Sequence, residues 1–355
     1  MSATTWQTLR DAGIVDGDAP ETSVGGSPWY VRAMLGVVGW VAALFLLGFV
    51  YAVVGGDLSS GSMLGVGLVL IAASAAVLAS GDRNEFALQL GLASAFAGQG
   101  LACFGLAGTL HALRFDELTG YLTIAAMEVA LLFAVKHPVH RTWCALVAAA
   151  CVWLAARAAG LPALATGLLA AGMACLWLVE LDHPRAHAIL APAAYGVTFA
   201  LLVAESNRVL VNWAPSMLGV RHVQAWQIPW LGEAFTALVF MGVTWRLCER
   251  PNLRLTPEQY GAAMLAGVLL AVVSRRAPGL ASAVMIIVLG FGNGNRVLTG
   301  LGILTLLAAV FAYYYNLQTT LLLKAGLLAV TGAGLLVLRV AALHWMWPQA
   351  EGRRA

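Results

Sequence analysis

Apolar runs of about 20 residues, separated by short polar breaks, recur from residue 31 to the end of the chain. This repetition constrains the fold more than any single motif. At 1.5 Å per residue, a helical run of that length crosses a hydrocarbon layer about 30 Å thick. Backbone N–H and C=O groups in such a layer must be satisfied within the protein, which leaves helices or closed barrels. The alternating pattern of a barrel strand is absent, so the helical solution is expected. We read an all-α, polytopic transmembrane helix bundle of about twelve spans. They fall near 31–53, 62–80, 86–109, 118–135, 142–160, 162–180, 188–204, 229–247, 258–274, 278–293, 297–315 and 320–343. Composition agrees, since 10% of residues are charged and 61% hydrophobic, against about 25% charged in soluble domains. The 38 glycines suit close helix packing in a bilayer.

Three regions follow. Residues 1–28 form a short polar segment and linker, 29–347 the transmembrane helical domain, and 348–355 a C-terminal tail. The first segment carries acids and is not read as a secretory signal sequence. Pro28-Trp29-Tyr30-Val31-Arg32 has the make-up of an interfacial anchor. With the N-terminus inside, thirteen of the 20 Lys and Arg residues fall on the inner side and seven outside. The positive-inside tendency therefore places both termini in the cytoplasm. Three inward breaks, Lys136-His137-Pro138, Asp182-His183-Pro184 and Glu249-Arg250-Pro251, each place charge and then proline where a helix should stop. The longest loop is expected at about 205–228, on the outside. Gly61 and Gly65 form a GxxxG helix-contact signal. Thr256-Pro257-Glu258-Gln259 reads as a capping box before the ninth span.

Several function classes are disfavoured. A net charge of +3 with no basic stripe gives no footprint for nucleic acid. Cys103, Cys144, Cys151, Cys175 and Cys248 are odd in number and lie in or beside apolar spans, so no disulfide framework is expected. No nucleophile–base pair, phosphate loop or metalloprotease motif occurs, so we expect no enzyme and no cofactor. His137, His140, His183 and His187 have spacings that could share a metal. No completing pattern accompanies them, and a metal site is not expected.

Eight residues remain as candidates. Glu128 lies about ten residues into the fourth span, where insertion of a charge costs about 2.5–3.5 kcal/mol. It is a proton- or cation-binding candidate, or else a structural Glu hydrogen-bonded between helices. Lys324 and Glu233 lie near the outer surface and could pair across helices, with Arg157 and Glu205 at similar depth; snorkelling would also account for the lysine. Arg157 follows Trp153 by four residues, a spacing suited to a surface cation–π contact. Asn293, Asn295 and Arg296 stand on a glycine-rich break that could line a cavity, or form an ordinary turn with Arg296 as an inner anchor. The Gly290–Asn295 end of the tenth span could be unwound. Tyr314, within Tyr313-Tyr314-Tyr315, fits an aromatic belt or a substrate path.

The Ser27-Pro28-Trp29-Tyr30-Val31-Arg32 start, Gly39-Trp40 and Leu46-Leu47-Gly48-Phe49 resemble the bacterial domain-of-unknown-function family 4401. So do Arg296, Gly300, Gly302, Tyr313-Tyr314-Tyr315, Leu317, Thr320-Leu321-Leu322, Lys324 and Arg339. The resemblance implies a multi-pass protein of the bacterial inner membrane. It also implies a neighbouring-gene partner, a second membrane protein named for a Gly-Asp-Tyr motif. It implies no activity. From the residues, two functions are open: a transporter-like protein for a small solute, ion or lipid, with Glu128 titrating, and a non-catalytic subunit or sensor docking a second membrane protein.

Overall fold

Prolines and small capping residues set the helix ends. Pro138, Pro162 and Pro257 each occupy the first position of a helix, where the missing N–H costs nothing. Ser59 caps its helix by accepting from the Ser62 N–H at 3.3 Å. The computed structural model describes residues 6–7, 10–13, 29–53, 59–80, 85–213, 230–249, 257–274 and 279–316, with isolated helical positions between 322 and 340.

Among the described residues the regular structure is entirely helical. Eleven α-helices follow one another: α1 Trp29–Val53, α2 Ser60–Ala79, α3 Glu85–Ala112, α4 Glu117–Ala134, α5 Pro138–Ala158 and α6 Pro162–Asp182. A single 3-10 turn, Pro184–Ala186, leads to α7 His187–Trp213, α8 Trp230–Cys248, α9 Pro257–Ser274, α10 Leu280–Gly292 and α11 Arg296–Asn316. Each coincides within a few residues with one of the first eleven expected segments, save at the far end of α7. The twelfth, 320–343, lies outside the described residues except for isolated helical positions. Among the described residues, six helices are suited by length and composition to cross a membrane: α2, α3, α4, α5, residues 187–207 of α7 and 296–314 of α11. At 13 residues, about 20 Å, α10 falls short of a hydrocarbon layer on its own.

One boundary differs from expectation. The loop expected from residue 205 begins later, because α7 runs on through Glu205-Ser206-Asn207-Arg208 to Trp213. Those polar side chains read as a helix stop, yet Glu205 is met from α10, so the helix need not end to hydrate it.

The chain divides into two compact units, residues 1–106 and 107–355. In the first, α2 and α3 approach backbone to backbone. A Cβ added at Gly98 would sit 2.8 Å from the Gly67 carbonyl oxygen and 2.9 Å from the Leu70 Cβ. Gly105 is pressed in the same way against Leu64. The expected GxxxG pair plays no such part: a Cβ at Gly61 or Gly65 would meet nothing within 4 Å. The second unit is centred on Met173, Trp177, Leu201, Met285, Ile286 and Leu289, drawn from α6, α7 and α10 and closed by residues of α5, α8 and α11. Helix α7 packs along α5 and α6, and α10 along α11 and α8.

Large apolar side chains also point outward on most helices, among them Phe45, Val69, Phe104, Phe133, Leu238 and Phe311. An apolar outer surface of this extent suits a hydrocarbon surround better than water, and with the six long helices it points to a membrane protein.

If Gly67 and Gly98 rather than Gly61 and Gly65 set the α2–α3 contact, Gly98→Val should destabilise the detergent-solubilised protein by about 1–3 kcal/mol. Gly61→Val and Gly65→Val should change its thermal transition by less than about 0.5 kcal/mol. The opposite ranking would contradict the packing.

Candidate functional site

The glycine- and asparagine-rich break between α10 and α11 is a three-residue turn. Helix α10 stays helical through Gly292, with Asn293 at its C-cap. Gly294 takes a left-handed φ of +62°, which an L side chain would strain. The Asn295 N–H then donates to the Gly290 carbonyl at 2.8 Å, and the Gly294 N–H to the Phe291 carbonyl at 3.1 Å. Asn295 at once starts the next helix, its Oδ1 accepting from the Val297 and Leu298 N–H groups, each at 3.1 Å. The unwinding expected at Gly290–Asn295 is thus confined to residues 293–295.

The same turn is tied into the core. Asn295 Oδ1 also accepts from the Tyr195 hydroxyl at 2.9 Å, while Asn295 Nδ2 donates back to that oxygen at 2.7 Å. The Tyr195 ring stands edge-on to Trp177, with centroids 5.0 Å apart. Trp177 is buried and donates its Nε1–H to Thr198 Oγ1 at 3.1 Å. Asn293 Nδ2 donates to the Trp177 carbonyl at 3.3 Å. Helices α6, α7, α10 and α11 are therefore cross-linked at one end by a polar cluster. Arg141 makes a comparable brace, its Nε donating to the Leu132 carbonyl at 3.1 Å and its Nη1 to the Ala188 carbonyl at 2.8 Å. It joins the last turn of α4 to the first of α7, and is buried rather than an exposed loop cation.

At the other end, ten residues and about 15 Å further along α7, a gap separates α7 from α11. An open groove of about 520 Å³ lies there, lined by Leu202, Glu205 and Ser206 of α7, Gly279 before α10, and Leu301, Leu304, Thr305, Ala308, Ala309 and Ala312 of α11. Its walls are chiefly Leu and Ala methyl groups. Glu205 is 7% exposed, and its Oε1 accepts from the Ser282 hydroxyl at 2.7 Å. A Cβ at Gly279 would lie 3.6 Å from Oε2. Thr305 turns its hydroxyl back to the Leu301 carbonyl at 2.7 Å, which leaves its methyl group for the groove. Pockets of 300–1,000 Å³ with apolar walls and a few placed polar groups are the usual form of small-molecule sites. This groove is the candidate site.

The family model for Domain of unknown function (DUF4401) matches residues 28–344. The chain belongs to the DUF4401 family. No curated protein and no solved structure is similar to it. The family match covers the whole helical region, groove and Asn turn included, and carries no assigned activity.

The residues singled out in this DUF4401 sequence fall in different places. Glu128 is fully buried on α4, which packs along α5, and lies outside the lining of the groove. Asn293 and Asn295 belong to the cross-linked turn, and Arg296 opens α11 with an exposed side chain. Arg157 stacks its guanidinium over the Trp153 ring at 4.8 Å, the contact its spacing suggested. Tyr314 is half-buried beside Tyr313, with rings 5.5 Å apart. Glu233 lies within α8, though its side chain, like Lys324, is outside the described residues. The four histidines do not converge. His187 Nδ1 is 2.6 Å from Glu180 Oε1, His183 Nδ1 is 3.1 Å from the Val179 carbonyl, and His140 Nδ1 is 3.3 Å from Cys144 Sγ. His137 stands half-buried at the N-cap position of α5 without a side-chain capping bond, and burial lowers its imidazole pKa below the usual 6.5.

Sequence reasoning placed Glu205 only as a neighbour in depth and passed over Ser282, Gly279, Tyr195 and Trp177. The available signal was weak: Glu205 opens a polar tetrad that looks like the start of a loop.

The turn makes a graded prediction. Asn295→Ala removes both the cap and the Tyr195 link and should cost about 1–2 kcal/mol in mixed-micelle denaturation. Tyr195→Phe keeps the cap and should cost less, about 0.5–1.5 kcal/mol. Wild-type stability in Asn295→Ala would contradict the role given to the turn.

Proposed function

We propose that this DUF4401 chain is a multi-pass protein of the bacterial inner membrane, with about twelve spans and both termini in the cytoplasm, that acts in a transporter-like manner on a small solute. The observation that supports this reading is the groove between α7 and α11, with buried Glu205 in a mostly apolar lining. A buried acid at membrane depth is costly, and such residues usually mark substrate or ion pathways. In the positive-inside arrangement the groove end of α7 lies toward the outer surface and the Asn turn toward the cytoplasm. The cross-linked inner end then gives α7 and α11 a fixed base below the open groove. Glu128 is a second intramembrane carboxylate in this reading, and Glu233 with Lys324 supplies charge near the outer surface.

The competing reading is a non-catalytic subunit that docks a second membrane protein through its apolar faces. Solute permeation separates them, and a C-terminal fusion tests the topology that both share. Stopped-flow swelling of proteoliposomes in gradients of small amines, amino acids and sugars should show one class entering about tenfold faster than into protein-free vesicles, with the excess lost in Glu205→Gln. A fluorescent-protein fusion at the C-terminus should glow, as cytoplasmic fusions do. Permeation no faster than the control for every solute, together with co-purification of a second membrane protein, would replace transport with docking.

A further inference from the structure

Helices α8 and α9 pack together, and where α8 ends they carry a corner of aromatic and acidic side chains. Leu238, Gly242, Trp245 and Glu249 follow one another at helical spacing, and the Glu249 N–H still donates to the Trp245 carbonyl at 3.0 Å. They therefore share one face of α8 and the turn that ends it. All four are exposed. Along the face, hydrocarbon gives way to bare backbone, then to an indole, then to a carboxylate. A Cβ at Gly242 would meet nothing within 4 Å, so open space lies beneath Trp245. Tyr260 of α9 forms the second wall, its ring at 80° to the indole with centroids 6.1 Å apart. Trp245, 54% exposed, donates its Nε1–H to Glu249 Oε1 at 2.5 Å. That bond holds the ring in place, and donation to a carboxylate enriches the indole in electrons. The edge-on pair Trp177 and Tyr195 is answered by neutral partners, Thr198 and Asn295, and its indole is buried. At Trp245 the indole is open and the answering group carries charge. Arg246, the next residue, is engaged with α6, its guanidinium 3.5 Å from Asp182.

The face of an aromatic ring attracts a cation within about 6 Å of its centroid. Two rings near a right angle offer two such faces to one point. Glu249 adds a formal negative charge within electrostatic reach of the Tyr260 hydroxyl. An anion would meet the wrong sign at all three groups. Trp and Tyr near helix ends belong at the headgroup level of a membrane, and that tendency alone would account for the two rings. It does not account for the carboxylate bonded to the indole, or for the space left by Gly242. We propose that this corner binds a phospholipid with an amine-bearing headgroup, such as phosphatidylethanolamine. Its ammonium lies against the Trp245 and Tyr260 rings beside Glu249, and one acyl chain lies along Gly242 and Leu238. A soluble amine shares the ammonium but makes no use of the apolar part of the face, which assigns the site to the lipid. This inference needs the helices to lie in a membrane and is independent of transport.

The test is a lipid titration of the purified full chain in detergent, read by native mass spectrometry. The probes are phosphatidylethanolamine, phosphatidylglycerol and glucosyl diacylglycerol with matched chains; the second is anionic, the third neutral, and neither has an amine. Phosphatidylethanolamine should bind about fivefold tighter than either. Trp245→Leu should bring it within about twofold of both, and Glu249→Gln should weaken it about threefold. Trp143→Leu, which removes another exposed indole near the start of α5, should leave the preference intact. Glycerophosphoethanolamine, the same headgroup without chains, should not displace the lipid at equal concentration. Size-exclusion profiles identify a variant that has failed to fold, and the comparison of lipids on wild type depends on no variant. Phosphatidylethanolamine bound no tighter than glucosyl diacylglycerol would overturn the proposal, even if phosphatidylglycerol were excluded, because repulsion by Glu249 would then suffice. Undiminished binding by folded Trp245→Leu or Glu249→Gln, or an equal loss in Trp143→Leu, would also overturn it. Displacement by glycerophosphoethanolamine would replace the lipid with a soluble amine and overturn the assignment.

Discussion

Polar groups buried within an apolar helix bundle have to be answered from within the chain, and this requirement explains much of what is specific in the structure. Thr198, Thr236, Thr244 and Thr305 each donate to the carbonyl four residues earlier, the nearest acceptor on their own helix. The Trp177 indole is answered by Thr198 and the Tyr195 hydroxyl by Asn295. Arg141 finds two carbonyls at the ends of α4 and α7. In water each of these groups could turn to solvent. In an apolar surround each failure would cost several kcal/mol, so the bonds of Trp177, Tyr195 and Arg141 that cross between helices help decide which helices lie together.

Between those contacts the helices are held by size rather than by attraction. Hydrocarbon outside the bundle is as apolar as the side chains within it, so close approach of backbones carries the packing. Alanines dominate the buried set of the second unit, and glycines mark the nearest crossings. A Cβ at Gly290 would fall 2.6 Å from the Thr299 nitrogen, which shows how tightly α10 and α11 meet at the capped turn. At the other end α10 is tied to α7 through the Ser282 hydroxyl and Glu205. The groove occupies the space left where small residues on α11 face Leu202 and Glu205 across a gap.

The fold was largely legible because its signal is long and redundant. A run of twenty apolar residues tolerates errors of two or three at each edge, and Pro138, Pro162 and Pro257 mark helix starts directly. The site was less legible for a physical reason. Depth along a span can be counted from sequence, which drew attention to Glu128. Which side of a helix faces a void depends on partners far away in the chain. Glu205 gains its role from Ser282, 77 residues later, and from α11. The GxxxG spacing at Gly61 and Gly65 had the right form, and the α2–α3 contact instead falls on Gly67 and Gly98. Asn293 and Asn295 were recognised as a break, but the Tyr195 link that gives the break its purpose spans 100 residues.

The most direct test of the account is the environment at two positions two residues apart on α11. Ala309 lines the groove and Phe311, 72% exposed, points away from the bundle. Spin labels at Ala309→Cys and Phe311→Cys in lipid nanodiscs can be read for collision with oxygen, which concentrates in hydrocarbon, and with a water-soluble nickel chelate. The account predicts that the Phe311 label meets oxygen and excludes nickel, and that the Ala309 label is shielded from oxygen. A Phe311 label fully accessible to nickel would contradict the placement of these helices in lipid, and identical profiles at the two positions would contradict the groove.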